Sequence, residues 1–203
     1  MIRDLAAVMA GYLVGSIPTG LSVGHLVAGV DVRTVGSHRT GATNVQRSLG
    51  TAAGLAVLVL DFGKGFVPVV AVRMITGDDY LAAVAGVAAV VGHDWPLLAG
   101  FRGGRGVATA AGALAPLAPL ALGLTFLCLV ITVALTRYVS LGSIVAGTLA
   151  AIVVVLLRGR VGSQVDAALI VALVAGALIL FKHADNLHRL LRGCESKLGH
   201  RAA

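Results

Sequence analysis

The stretch "GVATAAGALAPLAPLALGLTFLCLVITVAL", Gly106 to Leu135, decides how many times this chain crosses a membrane. A helix needs about 20 residues to span a hydrocarbon core about 30 Å thick. The 30 residues here are therefore long for one crossing and short for two. Pro116 and Pro119 lie inside the run. Proline removes a backbone donor and clashes with the preceding turn, so a helix must break or kink there. The upstream part, "VATAAGALA", is rich in small residues, which suits a short helix pressed tightly against its neighbours.

The cations outside the run decide between the two readings. Other apolar runs lie at 5–28, 52–75, 80–99, 139–157 and 167–181. With 106–135 as one span and the 31–50 loop inside, seven Lys and Arg residues lie inside (33, 39, 47, 102, 105, 158, 160). Eight lie outside (3, 73, 137, 182, 189, 192, 197, 201). With two crossings, Arg137 and the tail move inside, Arg158 and Arg160 move out, and the division becomes 11 to 4. The positive-inside rule favours seven spans, with the N-terminus outside and the C-terminus cytoplasmic.

Composition agrees with an all-α, polytopic membrane protein. Of 203 residues, 58% are hydrophobic and 12% charged, against about a quarter charged in a soluble domain. Nothing divides the chain, so residues 1–203 are expected to form a single membrane domain. The run from Leu5 is too long for the apolar core of a signal peptide and reads as the first span. Cys128 sits in an apolar run and Cys194 in a basic tail, which argues against a disulfide framework. The net charge of +7 fits positive cytoplasmic loops or an anionic ligand.

Three polar segments share the cytoplasmic face in the seven-span arrangement. "DVRTVGSHRTGATNVQRSLG", Asp31–Gly50, carries Arg33, Arg39 and Arg47 with Ser37, Thr40, Thr43, Asn44 and three glycines. Donors dominate, and glycine lets backbone N–H groups approach an anion. "GFRGGRGVAT", Gly100–Thr109, places Gly103, Gly104 and Arg105 just before a helical run, a setting able to present N–H groups to phosphate. "KHADNLHRLLRGCESKL", Lys182–Leu198, spaces His183, Asn186 and Arg189 for one helix face. A basic juxtamembrane loop and an interfacial histidine are the plainer alternatives. Glu195, the only glutamate, reads as a structural ion-pair partner.

Two ionisable features fall within apolar runs. Asp61 and Lys64, three apart, can pair on one helix face. Charge at membrane depth is expensive, so this pair is either an orienting device or part of a site. His93 in "GHDWP" ends the third span close to the glycine loop, and Trp95 reads as an interfacial anchor. No P-loop, no metal-ligand cluster and no His followed five residues on by Asp occurs.

Together the segments resemble the acyl-phosphate-dependent glycerol-3-phosphate acyltransferases, the PlsY family. The resemblance runs through "GYLVGSIPTG", the Asp31–Gly50 segment, "LDFGKGFVPV", "GHDWPLLAGFRGGRGVATAAGALAP", "RYVSLGSI" and "HADNLHRLLRGCESKL". It implies a seven-span enzyme of the bacterial plasma membrane with its active site facing the cytoplasm. Such an enzyme moves an acyl group from acyl phosphate to the 1-hydroxyl of sn-glycerol 3-phosphate, giving lysophosphatidic acid and phosphate. The resemblance implies no cofactor, no metal and no nucleic-acid partner.

By position, Ser37, His183 and Asn186 would be catalytic. Arg33, Thr43, Asn44, Arg47, Gly103, Gly104 and Arg105 would hold substrate phosphate, with Asp61, Lys64, His93 and Glu195 in supporting roles. The chain departs from the family pattern at His38–Arg39, where Gly-Asn is usual, and at Arg105, where lysine is usual. Cys194 also stands in place of a small polar residue. A relative acting on another phosphate-bearing acceptor and a small organic-anion transporter are the competing readings. A transporter, however, predicts mid-span charges and an inverted repeat.

Overall fold

The computed structural model describes residues 1–161 and 164–199, with the side chains of 158–165 left aside. The side chains of Arg158 and Arg160, and residue Arg201, all used in the charge count, therefore lie outside the described residues. The described residues are all-helical: α1 Ile2–Gly15, α2 Thr19–Ala28, α3 Ala42–Leu49, α4 Thr51–Thr76, α5 Asp79–Asp94, α6 Val107–Leu114, α7 Pro119–Thr136, α8 Val139–Val161, α9 Gln164–Lys182 and α10 Ala184–Leu191. Five stretches are long and apolar enough to cross a membrane: Ile2–Ala28, Thr51–Thr76, Asp79–Ala99, Pro119–Thr136 and Val139–Leu157. A sixth, Asp166–Lys182 followed by Ala184–Leu191, bends by 56° at its break.

The decisive run does divide at its prolines. α6 ends at Leu114, residues 115–118 form a turn, and Pro119 opens α7 at a position where its missing donor costs nothing. α6 has eight residues, only about 12 Å of helix. Two expected spans are less regular than their sequences suggest. The first breaks at Ser16–Pro18, because proline disfavours helix in the residue before it. The third ends at Asp94, and Trp95–Pro96 turns it into a short 3₁₀ segment, Leu97–Ala99.

α5 forms the centre, packed by α1, α4, α6 and α9, while α7 lies outside against α8. Small residues set these distances, as expected where apolar lipid provides no hydrophobic drive for helix association. A Cβ on Gly65 would collide with the Thr109 carbonyl, and one on Gly112 with the Phe62 carbonyl, so α4 and α6 touch backbone to backbone. Gly112→Leu is expected to cost about 1–3 kcal/mol through overpacking, read as a lower melting midpoint in detergent. Gly123→Leu on α7, which faces open space, serves as the control that leaves the midpoint in place.

Polar contacts mark the two ends of the bundle. At the base, Arg73 pairs with Asp79 (2.8 Å) and donates to the Pro116 carbonyl (3.1 Å). At the crown, Arg137 donates to the Leu198 carbonyl (2.9 Å), and the Leu198 N–H returns a bond to the Arg137 carbonyl (2.7 Å).

Candidate active site

The three polar segments meet at the crown. Arg39 pairs with Asp185 at 3.3 Å, joining the first segment to α10. Arg47 donates to the Ser196 carbonyl at 3.0 Å. Arg33 is held by Asp31 (2.8 Å) and reaches the Ala99 carbonyl (2.9 Å), joining the first segment to the turn before the glycine loop. These contacts close the Asp31–Gly50 segment, the turn before the glycine loop and the tail into one polar cap.

Asn44, on the first turn of α3, organises the first segment. Its Oδ1 accepts from the Ser37 N–H (2.7 Å), and its Nδ2 donates toward the carbonyls of Val32, Val35 and Arg39. The sequence suggests Asn44 as a phosphate ligand; here its side-chain amide is bonded within the loop that carries Ser37. Thr43 sits half-buried beside it on α3. His38 adopts φ +55°, the left-handed region that favours glycine. Its Nδ1 lies 3.0 Å from the Arg33 carbonyl, a bond that helps hold this strained turn.

The glycine loop lies on α5. Gly103 and Gly104 are both buried. The Gly104 N–H donates to the His93 carbonyl (3.2 Å), and a Cβ on Gly104 would fall into the His93 ring. Arg105 follows with its Nε buried and unpartnered among the described residues. Burial, with Arg39 and Arg189 nearby, lowers its guanidinium to about 10. Burial likewise lowers Arg47, whose neighbours are Glu195 and Arg189. Cations gathered out of water and repelling one another form a place that an anion would relieve.

His183 stands at the 56° bend between α9 and α10. Its Nδ1 lies 2.8 Å from the Ile179 carbonyl. A carbonyl only accepts, so Nδ1 carries the proton and Nε2 keeps its lone pair. Asn186 donates to Glu195 (2.7 Å), Ser140 donates to the same carboxylate (2.8 Å), and Arg189 pairs with its other oxygen (2.7 Å). Glu195 thus ties the tail to α8 and α10.

Burial would raise the Glu195 carboxyl, yet the bonds from Asn186, Ser140 and Arg189 outweigh it and hold it below 4.5. A group depressed in the folded state stabilises above its unfolded value and loses that contribution as pH falls through the folded value. The melting midpoint is therefore expected to drop on acidification below pH 4.5. Glu195→Gln should flatten that dependence.

Beneath the cap lies a buried ionic group. Lys64 pairs with Asp61 at 2.9 Å and donates to the Ile17 carbonyl at 3.0 Å, while Thr19 donates to Asp61. The break at Pro18 frees the Ile17 carbonyl from the regular helical ladder, and Lys64 supplies a partner from α4. His93 Nδ1 approaches Asp61 Oδ1 at 3.4 Å, a close electrostatic contact longer than a hydrogen bond. Asp94 and Lys182 are not among the site residues that the sequence suggests. Asp94 is fully buried, and Lys182 donates to its backbone carbonyl (2.8 Å) with its ammonium 4.3 Å from the centre of the Trp95 ring. Their only sequence signal is charge at the ends of two apolar runs.

Fold and site together define a polytopic, all-helical membrane protein with a cation-rich cap at one end. A family profile described as "Glycerol-3-phosphate acyltransferase" matches residues 5–193. A glycerol-3-phosphate acyltransferase of Halalkalibacterium halodurans is 42% identical, over 95% of this chain and 94% of its own. Glycerol-3-phosphate acyltransferase 2 of Moorella thermoacetica is 43% identical, over 98% and 99%. Two crystal structures of PlsY, an integral membrane glycerol 3-phosphate acyltransferase, superpose along the chain. Its glycerol 3-phosphate form gives a TM-score of 0.88 at 40% identity, covering 97% of this chain and 96% of that one. Its lysophosphatidic acid form gives 0.86 at 38%, with the same coverage. The chain belongs to the glycerol-3-phosphate acyltransferase family.

Proposed function

We propose that this protein transfers an acyl group from acyl phosphate to the 1-hydroxyl of sn-glycerol 3-phosphate, releasing lysophosphatidic acid and phosphate. The observation that carries the reading is the convergence of Arg39, Arg47, Arg105 and the Gly103–Gly104 loop at one end of the bundle, beside His183 and Asn186. Two phosphates meet in this reaction, one on each substrate, and the crown supplies several guanidinium groups for them. That the related PlsY has been crystallised in glycerol 3-phosphate and lysophosphatidic acid forms supports the same substrate and product here.

In this reading Ser37, Thr43, Arg47, Gly103, Gly104 and Arg105 hold phosphate, with Arg33 and Asn44 shaping the loop. The acceptor hydroxyl attacks the acyl carbonyl carbon. The bond from that carbon to the phosphate oxygen breaks, and the phosphate leaves with the electron pair. The hydroxyl proton passes to a basic lone pair, with His183 Nε2 and a substrate phosphate oxygen as its acceptors. Acyl phosphate is a mixed anhydride with a good leaving group, so alignment and charge neutralisation carry the rate without a covalent enzyme intermediate.

The same reading gives one domain with seven spans in a bacterial plasma membrane, the N-terminus outside and the site cytoplasmic. The contact of Arg73 with the Pro116 carbonyl supports the seventh crossing, since it ties the end of the short α6 segment to the base. The test is purified protein with palmitoyl phosphate and labelled glycerol 3-phosphate. Lysophosphatidic acid is the expected product; turnover only with acyl-CoA, or none at all, would sink the proposal.

A further inference from the structure

We infer that His93 is a positioning residue for the glycine loop, locked in place from beneath by the Asp61–Lys64 pair. The inference rests on the acylation reading, in which that loop holds the acceptor phosphate. Three observations on three elements carry it.

The first is the loop itself. Both glycines lie against His93, one touching its carbonyl and the next its ring. A Cβ on Gly103 would collide with the His93 carbonyl, and the three atoms nearest a Cβ on Gly104 all belong to the imidazole. Neither glycine has a positive φ. Glycine is required here by the close approach of His93 and not by backbone conformation. The Gly104 N–H bond to the His93 carbonyl then fixes the direction in which the loop leaves α5.

The second is what lies on the far side of the ring. Asp61, Lys64 and His93 are all buried, and Asp61 Oδ1 gathers Thr19, Lys64 and the approach of His93 Nδ1. A buried ion pair adds little net stability compared with apolar packing, but it fixes geometry strongly. Here it faces the Nδ1 edge of the imidazole while Gly104 lies against the Nε2 edge. The third observation is on the opposite flank: Lys182, adjacent to His183, holds the Asp94 carbonyl. The turn bearing His93 is thus clamped between α4 and α9, and the glycine loop inherits its position relative to His183 from that clamp.

The test is a size exchange in the full-length protein. Gly104→Ala should raise the KM for glycerol 3-phosphate and lower the melting midpoint. His93→Ala should raise the same KM about tenfold or more while kcat changes less than about threefold. In the doubly substituted His93→Ala/Gly104→Ala protein the added methyl has room, so the further loss caused by Gly104→Ala should largely vanish. His93→Asn keeps a donor toward Asp61 but withdraws the ring. It should reproduce the KM effect with a near-normal midpoint, which separates positioning from folding.

A Gly104→Ala defect of equal size with and without the His93 ring would overturn the inference, as would an unchanged KM in His93→Ala. If the unmutated protein makes no lysophosphatidic acid, the acylation reading fails by itself. The same variants are then judged by how strongly glycerol 3-phosphate raises the melting midpoint. Equal stabilisation in all of them overturns the positioning role, and weaker stabilisation that the double substitution restores upholds it.

Discussion

Arg105→Ala is expected to lower kcat/KM for glycerol 3-phosphate by about a hundredfold or more, the scale of losing one charged stabilising donor at a reacting centre. The folded protein should survive the change. Arg105 is half-buried with its Nε unpartnered among the described residues, and loss of water contact, with Arg39 and Arg189 nearby, takes its guanidinium down to about 10. Removing it relieves repulsion in the ligand-free protein, so the melting midpoint should hold or rise. The same substitution should abolish most of the stabilisation conferred by glycerol 3-phosphate. Opposite signs in the two measurements distinguish a ligand-holding cation from a structural one. Arg105→Lys keeps a point charge but loses the planar fork, and should recover part of the loss. An acceptor dependence unchanged by Arg105→Ala would remove this residue from the site.

Lys64→Met should be the most damaging substitution for stability. It leaves Asp61, about 1% exposed, without its ammonium partner and frees the Ile17 carbonyl that Lys64 also holds. Breaking a buried pair from one side costs about 3–5 kcal/mol, far more than removing both charges. The double change Lys64→Met/Asp61→Asn should therefore be the milder one, regaining much of the melting midpoint. Equal midpoints for the single and double variants would show that the pair is not coupled. By the geometry of His93, the double variant should also carry a raised glycerol 3-phosphate KM despite its recovered fold.

The features legible in the sequence were those governed by local chemistry. Pro116 and Pro119 divide the long apolar run because proline acts on its own preceding turn, whatever surrounds it. Asp61 and Lys64 pair because three residues of helix bring their side chains onto one face. Glu195 finds cations because its neighbours are basic, but its bond to Ser140 links residues 55 apart and has no local trace. The partnership of Arg39 with Asp185, the contact of Lys182 with Asp94 and the seat of Gly104 on His93 are likewise products of packing. Asn44 shows the limit differently. Its residue type is right for binding an anion, and only its three carbonyl partners reveal that it serves the loop.

The shortness of α6 carries a consequence for the meeting of two dissimilar reactants. Its first residue follows Gly106, where an added Cβ would touch Val90 and Asp94 of α5, so the end of the glycine loop is seated directly on α5. In the proposed reaction a small, fully hydrated acceptor comes to this loop through the polar cap, while the donor's acyl carbonyl meets it with the chain still among its neighbours in the bilayer. The amphiphile then has no need to leave its leaflet, and the large cost of exposing a long hydrocarbon tail to water is avoided.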